Sequence, residues 1–300
     1  MATRPIRLLL AALAGSAVLF AATRCVGGES FGPDPGTGEL VYASNPVLGQ
    51  FDVFVLNLDD GLVRRLTDTL AYDFWPAWSP DGARIAFESD RSLNLDIYVM
   101  HVDSIAARQL TTHPMADIQP AWSPDGAKIA FASDRDGDYE IHVVNADGTG
   151  LLQLTTSDSA DDGHPAWSPD GTRIAFVSDS GGNTDILVMS AVDGSNRTNL
   201  TNNPGRDLSP SWSPDGTKLA FHADRDGDFA IYVMNADGSG AVRLTDSAVP
   251  DEAPAWSPDG TRLAFDSDGD LFVMRADGSG LVRVTRGGTL DFLPRWRPSP

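Results

Sequence analysis

Six aspartates recur at one position of the sequence and could together form a charged site. Each lies three residues before the proline of a Pro-x-Trp sequence, and the six are Asp73, Asp117, Asp162, Asp207, Asp251 and Asp291. Six carboxylates in a ring would focus a negative field and attract a metal cation or a basic peptide. Alternatively, each aspartate stabilises its own turn by accepting hydrogen bonds from backbone N–H groups. Regular recurrence fits this second interpretation better, because a structural requirement repeats with the structure.

The residue immediately before each of these prolines differs from one copy to the next. The six residues at this position are Trp75, Gln119, His164, Ser209, Ala253 and Leu293. Gln119, His164 and Ser209 form a polar subset, and the other three form an apolar subset. If the six surround one opening, they make an asymmetric binding mouth. Neutral drift in exposed loops would give the same variation, so both explanations stay open.

Short turns rich in aspartate suggest a third kind of site. The clearest examples are residues 134–138, 224–228 and 266–270, each with three aspartates at alternate positions. Such spacing resembles a calcium loop, but the turns lack the 12-residue span and terminal glutamate of an EF-hand. We expect plain turns and no cofactor, and keep a calcium-binding scaffold as an alternative.

One phrase, Trp-Ser-Pro-Asp-Gly, organises the chain that carries these residues. It occurs at residues 78–82, 122–126, 167–171, 212–216 and 256–260, and a degenerate copy begins at Trp296. The steps between consecutive tryptophans are 44, 45, 45, 44 and 40 residues. A constant period of this size predicts an array of one supersecondary unit. Pro followed by Asp-Gly favours a tight turn after the strand that ends in tryptophan.

Each unit reads as four short strands joined by tight turns, with no helical periodicity. Before Trp78 the chain supplies the last three strands of a unit, at residues 40–42, 52–55 and 65–67. After Thr285 it supplies one first strand, at residues 293–296. Together these complete one more unit and leave no free sheet edge. We therefore predict an all-β, six-bladed propeller of four-stranded antiparallel blades, closed by a carboxy-terminal strand that completes the first blade.

The residues do not assemble an evident catalytic group. The five histidines fall at different positions of the repeat, and His142 aligns with Tyr98 and Tyr232, which favours a packed strand position. A G-x-S-x-G match at residues 28–32 lacks the strand and helix that a nucleophile elbow requires. We predict a protein that is not an enzyme. The alternative is a propeller-fold carbohydrate-active lyase or hydrolase that uses the carboxylates as acids.

The repeat resembles that of the TolB-type six-bladed propeller, also called the WD40-like or PD40 repeat. The residues that carry the resemblance are Pro-Ala-Trp-Ser-Pro-Asp-Gly, then Ile-Ala-Phe, Ile-Tyr-Val-Met and Leu-Thr, over residues 40–298. The sequence lacks the amino-terminal α/β domain of bacterial TolB. The resemblance implies a docking platform for an envelope protein or peptide, without catalysis.

The first residues have the features of an export signal. Arg4 and Arg7 precede an apolar run at residues 8–22, which is short for a membrane span. We assign residues 1–24 to a signal peptide, 25–38 to a flexible Gly/Pro linker and 39–300 to the propeller. Cys25, the only cysteine, is a candidate lipidation site, although Arg24 departs from the small residue expected before it. Ordinary cleavage near residues 21–23 is the alternative.

The formal net charge of −20 limits the classes of partner. Such a surface repels nucleic acid and anionic lipid and favours a basic protein or peptide. Many soluble acidic proteins have no specific partner of this kind. We expect a monomer that is periplasmic or otherwise envelope-associated and contacts a membrane only through a possible lipid anchor.

Overall fold

The computed structural model of the protein describes residues 35–47, 49–156 and 159–299. The proposed signal peptide, Cys25 and most of the proposed linker lie outside the described residues. Within them the chain forms six four-stranded antiparallel sheets, the blades, numbered I to VI.

Blades II to VI each use four consecutive strands, and blade I uses the first three strands of the chain with the last. The strands of blades I to III are β1 (Glu39–Val47), β2 (Gln50–Asn57), β3 (Val63–Arg65), β4 (Asp73–Trp78), β5 (Arg84–Ser89), β6 (Asp96–His101), β7 (Ala107–Gln109), β8 (Asp117–Trp122), β9 (Lys128–Ser133), β10 (Glu140–Asn145) and β11 (Leu152–Gln153). The others are β12 (Asp162–Trp167), β13 (Arg173–Ser178), β14 (Asp185–Ser190), β15 (Thr198–Asn199), β16 (Asp207–Trp212), β17 (Lys218–Ala223), β18 (Ala230–Asn235), β19 (Val242–Arg243), β20 (Asp251–Trp256), β21 (Arg262–Ser267), β22 (Asp270–Arg275), β23 (Val282–Arg283) and β24 (Asp291–Trp296).

The first strand of each blade is innermost. Successive inner strands contact one another around the ring, from β4 through β8, β12, β16 and β20 to β24, which contacts β4 again. These six strands therefore line a central channel. The predicted propeller and its blade count are confirmed.

The predicted seam is also confirmed, since β24 pairs with β1 in antiparallel register. Leu40 lies opposite Trp296 and Ser44 opposite Asp291. The Ser44 hydroxyl donates to Asp291 Oδ1 at 2.6 Å. A backbone hydrogen bond from Arg297 N to the Glu39 carbonyl, 2.8 Å long, extends the pairing past the strand ends. The ring is thus closed inside one sheet.

The repeated phrase forms a turn that also packs blade against blade. In the turn of blade II, Gly82 N donates to the Ser79 carbonyl at 2.8 Å, and the glycine has a φ of +64°. The equivalent Gly126 of blade III has a φ of +68°, and a Cβ there would lie 3.2 Å from Cγ of Pro80. Glycine therefore serves both the turn conformation and the close approach of the preceding turn.

The core consists of layers between neighbouring blades. The central phenylalanine of the second strand is fully buried in five blades, at Phe87, Phe131, Phe176, Phe221 and Phe265. The alanine before it faces the next blade, as Ala86 does in packing with Trp122 and Phe131. The threonine of each Leu-Thr pair joins strands: Thr111 Oγ1 accepts from Ile97 N at 3.0 Å. Packing and strand pairing thus explain the residues that recur from one blade to the next.

Candidate functional site

One end of the channel collects the residues that differ between blades. We call it the mouth face; it carries the loops that lead into the inner strands and the turns between second and third strands. The opposite end, the turn face, carries the Trp-Ser-Pro-Asp-Gly turns. The residues before the six prolines, the mouth residues, all have positive φ: Trp75 (+52°), Gln119 (+59°), His164 (+51°), Ser209 (+51°), Ala253 (+52°) and Leu293 (+57°). Each inner strand shifts register at this point.

Such a backbone conformation is uncommon for residues other than glycine. Here it recurs at every mouth residue, so the strand geometry imposes it whatever the side chain is. The backbone conformation therefore does not determine the side-chain type at this position.

Three mouth residues donate their backbone N–H groups to side chains on the second strand of the preceding blade. Gln119 N donates to Glu88 Oε2 at 2.9 Å, and Leu293 N donates to Asp266 Oδ1 at 2.9 Å. Ala253 N donates to His222 Nδ1 at 3.1 Å. The other three blades have Ala43, Ala132 and Val177 at this strand position. The sequence analysis gave Glu88 and His222 no role at the mouth and placed Asp266 in an aspartate-rich turn, whereas the structure places it in β21. Polar residues among alanine and valine at one repeat position were a visible signal.

The three polar mouth residues lie together. His164 N donates to Gln119 Oε1 at 2.8 Å, and His164 Nδ1 lies 2.9 Å from Ser209 Oγ. The His164 imidazole also contacts the Trp75 indole edge-on, with ring centroids 4.8 Å apart. Gln119, His164 and Ser209 are almost fully buried, and Trp75 is partly exposed. We call Gln119, His164 and Ser209 the polar group; it contacts the Trp75 ring through His164.

Aromatic rings extend the site from Trp75 toward blade I. Phe74 contacts Trp75 and Tyr72, and Phe51 contacts Tyr72, Phe74 and Phe292, with centroids 5.0–6.3 Å apart. Phe51, Tyr72 and Trp75 are partly exposed. We call these three the aromatic patch. The mouth is therefore aromatic on blades I and II and polar on blades III to V.

Two leucines on the mouth face of blade II are exposed to solvent. Leu70, in the loop before β4, is 98% exposed, and Leu93, in the turn after β5, is 99% exposed. Leu93 has a φ of +83°, and the equivalent residues of the next three blades are Gly137, Gly182 and Gly227. A leucine in the left-handed region is unfavourable by about 1 kcal/mol or more. Packing within the chain does not offset that cost.

The six aspartates lie at the start of the inner strands, with their side chains turned into the blades. All six are at most 3% exposed. Asp73 pairs with Arg91 at 2.7 Å, Asp117 pairs with Arg135 at 3.0 Å, and Asp207 pairs with Arg225. The partners of the others include hydroxyl groups, Ser44 for Asp291 and Ser247 for Asp251 at 2.8 Å, and the hydroxyls near Asp162. These contacts are with arginine and hydroxyl side chains, not with the backbone N–H groups that the turn-stabilising interpretation assumed, and they hold the carboxylates in buried positions.

Burial sets the protonation of the groups around the mouth. It raises the pKa of the Glu88 carboxyl to about 7, against a hydrogen bond from Gln119 N that lowers it. It raises the pKa of Asp266 well above the ordinary value, and the Glu252 carboxylate adds to this rise. Burial, helped by the Arg295 charge, lowers the pKa of His164 to about 3. The mouth therefore holds neutral imidazole and weakly acidic carboxyl groups in a poorly solvated setting.

The aspartate-rich turns engage their own neighbours. Gln153 donates to Asp136 Oδ2 at 2.8 Å, and the Tyr232 hydroxyl donates to Asp226. Among the described residues no group of three or more His, Cys, Asp or Glu side chains is arranged to hold a metal ion. His142 is 1% exposed and stacks on Phe131, which confirms a packed strand position. Across the described part of the chain, no helix combines the length and apolarity needed to cross a membrane.

Comparison with known proteins agrees with the geometry. The TolB beta propeller domain model, PD40, matches residues 17–114, 91–164, 108–199 and 160–251. TolB from Acinetobacter baumannii aligns with a TM-score of 0.75 and 22% identity, over 87% of this chain and 67% of that one. A putative TolB from Agrobacterium tumefaciens aligns with a TM-score of 0.71 and 23% identity, over 88% of this chain and 100% of that one. Oligogalacturonate lyase from Vibrio parahaemolyticus aligns with a TM-score of 0.58 and 16% identity, over 82% of this chain and 73% of that one. No curated protein matches significantly. At these identities the solved structures show the fold alone. The family model, however, covers most of the sequence. The chain therefore belongs to the TolB β-propeller domain family.

Proposed function

We propose that this propeller is a non-catalytic binding protein of the bacterial cell envelope that docks a protein or peptide segment on its mouth face. The observation that carries the proposal is the asymmetry of the mouth. One side presents the aromatic patch beside Leu70 and Leu93, and the other consists of the buried polar group. Exposed apolar side chains next to a rigid support are typical of docking surfaces.

Within this proposal the mouth residues have two roles. Trp75 contacts the partner, because it is partly exposed and is the member of the aromatic patch that also contacts His164. Gln119, His164 and Ser209 hold its ring in place through the contacts described above. The six aspartates hold the strands that carry these residues through their buried side-chain contacts.

Charge favours a basic partner. The exposed carboxylates Asp68 and Asp246 in the turns around the mouth are each paired with an arginine, Arg65 at 2.8 Å and Arg243 at 3.3 Å. The net charge of −20 is therefore what favours a cationic segment. The assignments of residues 1–24 as signal peptide and of Cys25 as a lipid attachment site belong to the same proposal. So do the linker at residues 25–38, an extracytoplasmic location and a monomeric state.

A photo-crosslinking amino acid placed at residue 93 tests the docking site. We expect adducts in envelope fractions from position 93 and none from position 192, since Val192 is 77% exposed on the turn face and serves as the matched control. The adduct at position 93 should weaken at least fivefold when Trp75→Ala is added. Equal adducts at both positions, or an adduct that ignores Trp75→Ala, would contradict the proposal.

A carbohydrate-active enzyme is the second candidate, and the pKa of Glu88, raised to about 7, favours it, because such a carboxyl can act as a general acid near neutral pH. Screening with acidic polysaccharides tests this. Turnover that disappears in Glu88→Gln would replace the binding proposal with the catalytic one.

A further inference from the structure

On the turn face, the chain repeatedly places its own arginines over the repeat tryptophans. The guanidinium of Arg84 lies 4.5 Å from the Trp122 ring centroid, and that of Arg173 lies 4.7 Å from that of Trp212. In both cases the arginine begins the second strand of one blade and the tryptophan ends the inner strand of the next. At the seam Arg297 does the same over Trp78, at 5.1 Å. The covered tryptophans Trp78, Trp122 and Trp212 are 6%, 8% and 7% exposed.

The equivalent position holds a lysine at two junctions, Lys128 between blades III and IV and Lys218 between blades V and VI. The residue at the start of β17 is Lys218, and its Nζ lies 3.4 Å from Asn235 Oδ1 within its own blade. Trp256 is the tryptophan that this residue would cover, and it is partly exposed. Among the described residues no cationic group lies over its ring.

A pocket of about 480 Å³ occupies the place where an arginine would lie. Its apolar wall consists of Trp256 and four aliphatic side chains, Val233, Val242, Leu244 and Ala276. This volume is within the range of small-ligand sites, roughly 300–1,000 Å³. The pocket is open to solvent on the turn face, away from the mouth residues.

Three aspartates belong to the lining of this pocket. Asp215, Asp259 and Asp277 line it together with Lys218. Hydrogen bonds from Ser213 and Thr217 lower the pKa of Asp215 to about 2, and bonds from Ser257 and Ser279 lower the pKa of Asp259 and Asp277. The lining therefore carries three carboxylates and one ammonium group, which favours a positively charged ligand.

We propose that this pocket binds a guanidinium group, stacked on the Trp256 indole and surrounded by the three carboxylates. Guanidinium is planar, weakly hydrated and suited both to aromatic faces and to carboxylates. The chain supplies this group itself at three other blade junctions, and here a ligand supplies it. The group comes from an arginine side chain of a partner or from a free arginine-like molecule. The site is on the opposite face from the proposed docking surface and does not depend on it.

Titration of the full chain with N-acetyl-arginine amide, followed by calorimetry or by the tryptophan indole N–H signals, tests the site. We expect saturable binding, with N-acetyl-citrulline amide at least tenfold weaker because its side chain is neutral. Lys218→Arg should weaken binding at least tenfold, since the chain then covers its own tryptophan. Lys128→Arg is the matched control, because Lys128 begins β9 before the partly exposed Trp167; it should bind within twofold of wild type.

Equal affinity for the arginine and citrulline compounds, wild-type affinity in Lys218→Arg, or an equal loss in Lys128→Arg would overturn the proposal. Thermal melting of each variant confirms that it is folded. A comparison of Gly-Arg-Gly with free arginine separates the two sources. Tighter binding of the peptide assigns the site to a protein ligand, tighter binding of free arginine assigns it to a small molecule, and either result supports a guanidinium site.

Discussion

The indole of Trp75 meets the imidazole of His164 edge-on, with an interplanar angle of 81° and ring centroids 4.8 Å apart. The two residues belong to blades II and IV, which are not neighbours in the ring. Most packing in the molecule joins adjacent blades, so this contact is a direct link across the channel. It restrains the mouth in a way that the blade-to-blade layers alone do not.

Replacing Trp75 with alanine should therefore weaken the fold. The ring is partly exposed, so we expect a loss of about 2 kcal/mol, below the 3–5 kcal/mol typical of a fully buried aromatic residue. Urea denaturation measures the change. Leu70→Ala is the control, since Leu70 is 98% exposed and its truncation should change stability by less than about 0.5 kcal/mol. Equal effects of the two substitutions would show that the cross-channel contact contributes nothing.

Glu88 should make stability fall as pH rises. Its pKa is raised from 4.5 in the unfolded chain to about 7 in the folded protein, so the folded state binds more protons between these values. The contribution of this group is complete below pH 4.5 and is lost as pH rises through 7. Between pH 5 and 8 the unfolding free energy of Glu88→Gln should rise relative to that of wild type by roughly 1–3 kcal/mol. Denaturation at each pH measures this difference.

His164 provides the opposite trend in the same experiment. Its pKa is lowered from 6.5 to about 3, so its contribution is present above pH 6.5 and is lost as pH falls toward 3. The unfolding free energy of His164→Gln should therefore rise relative to that of wild type only below pH 6.5. Parallel pH profiles for wild type and both variants would contradict the burial of these groups.

Leu93→Gly should stabilise the protein. The backbone keeps a φ of +83° at this residue, which glycine adopts without strain, and the leucine side chain is exposed. We expect a gain of about 0.5–1 kcal/mol in unfolding free energy. Leu70→Gly has no left-handed backbone to relieve and should give no gain. A photo-crosslinking amino acid at residue 70 provides a second measurement. If Leu93→Gly reduces the partner adducts formed from residue 70, Leu93 is maintained for docking at a cost in stability.

Asp117→Asn separates the two interpretations of the recurrent aspartates. Its carboxylate is buried against Arg135 at 3.0 Å, so removing the charge should cost about 1–3 kcal/mol. Asp103→Asn, at an exposed pair 3.8 Å from Arg64, should cost less than about 0.5 kcal/mol. A variant with wild-type stability but weakened partner binding would instead favour a direct role of Asp117 in the mouth.

The fold could be predicted from the sequence because every blade is local. Strand, turn and strand follow within one 45-residue period, and the turn phrase marks each unit. The seam followed from counting the strands left over at the two ends. Leu40 and Trp296 then had to pair, since any other arrangement leaves free sheet edges.

The surroundings of the candidate site could not be predicted in the same way. Repeat spacing places Asp117 at the start of an inner strand but does not say that Arg135 will neutralise it. The contact between Trp75 and His164 depends on the width of the channel, and the hydrogen bond from Gln119 to Glu88 depends on how far one blade is rotated against the next. These are properties of the closed ring, and no segment of the chain contains them.

The amino-terminal end of the described chain meets the ring at one face. Gly36 lies against the Arg262 side chain at the start of β21, and Leu58 N donates to the Gly38 carbonyl at 2.9 Å, so the chain joins the ring from the turn face. Any anchor attached through the residues before Pro35 would hold the molecule by that face. The Trp256 pocket would then look toward the anchoring surface, and the aromatic patch would look away from it, free to meet partners that arrive from the opposite side.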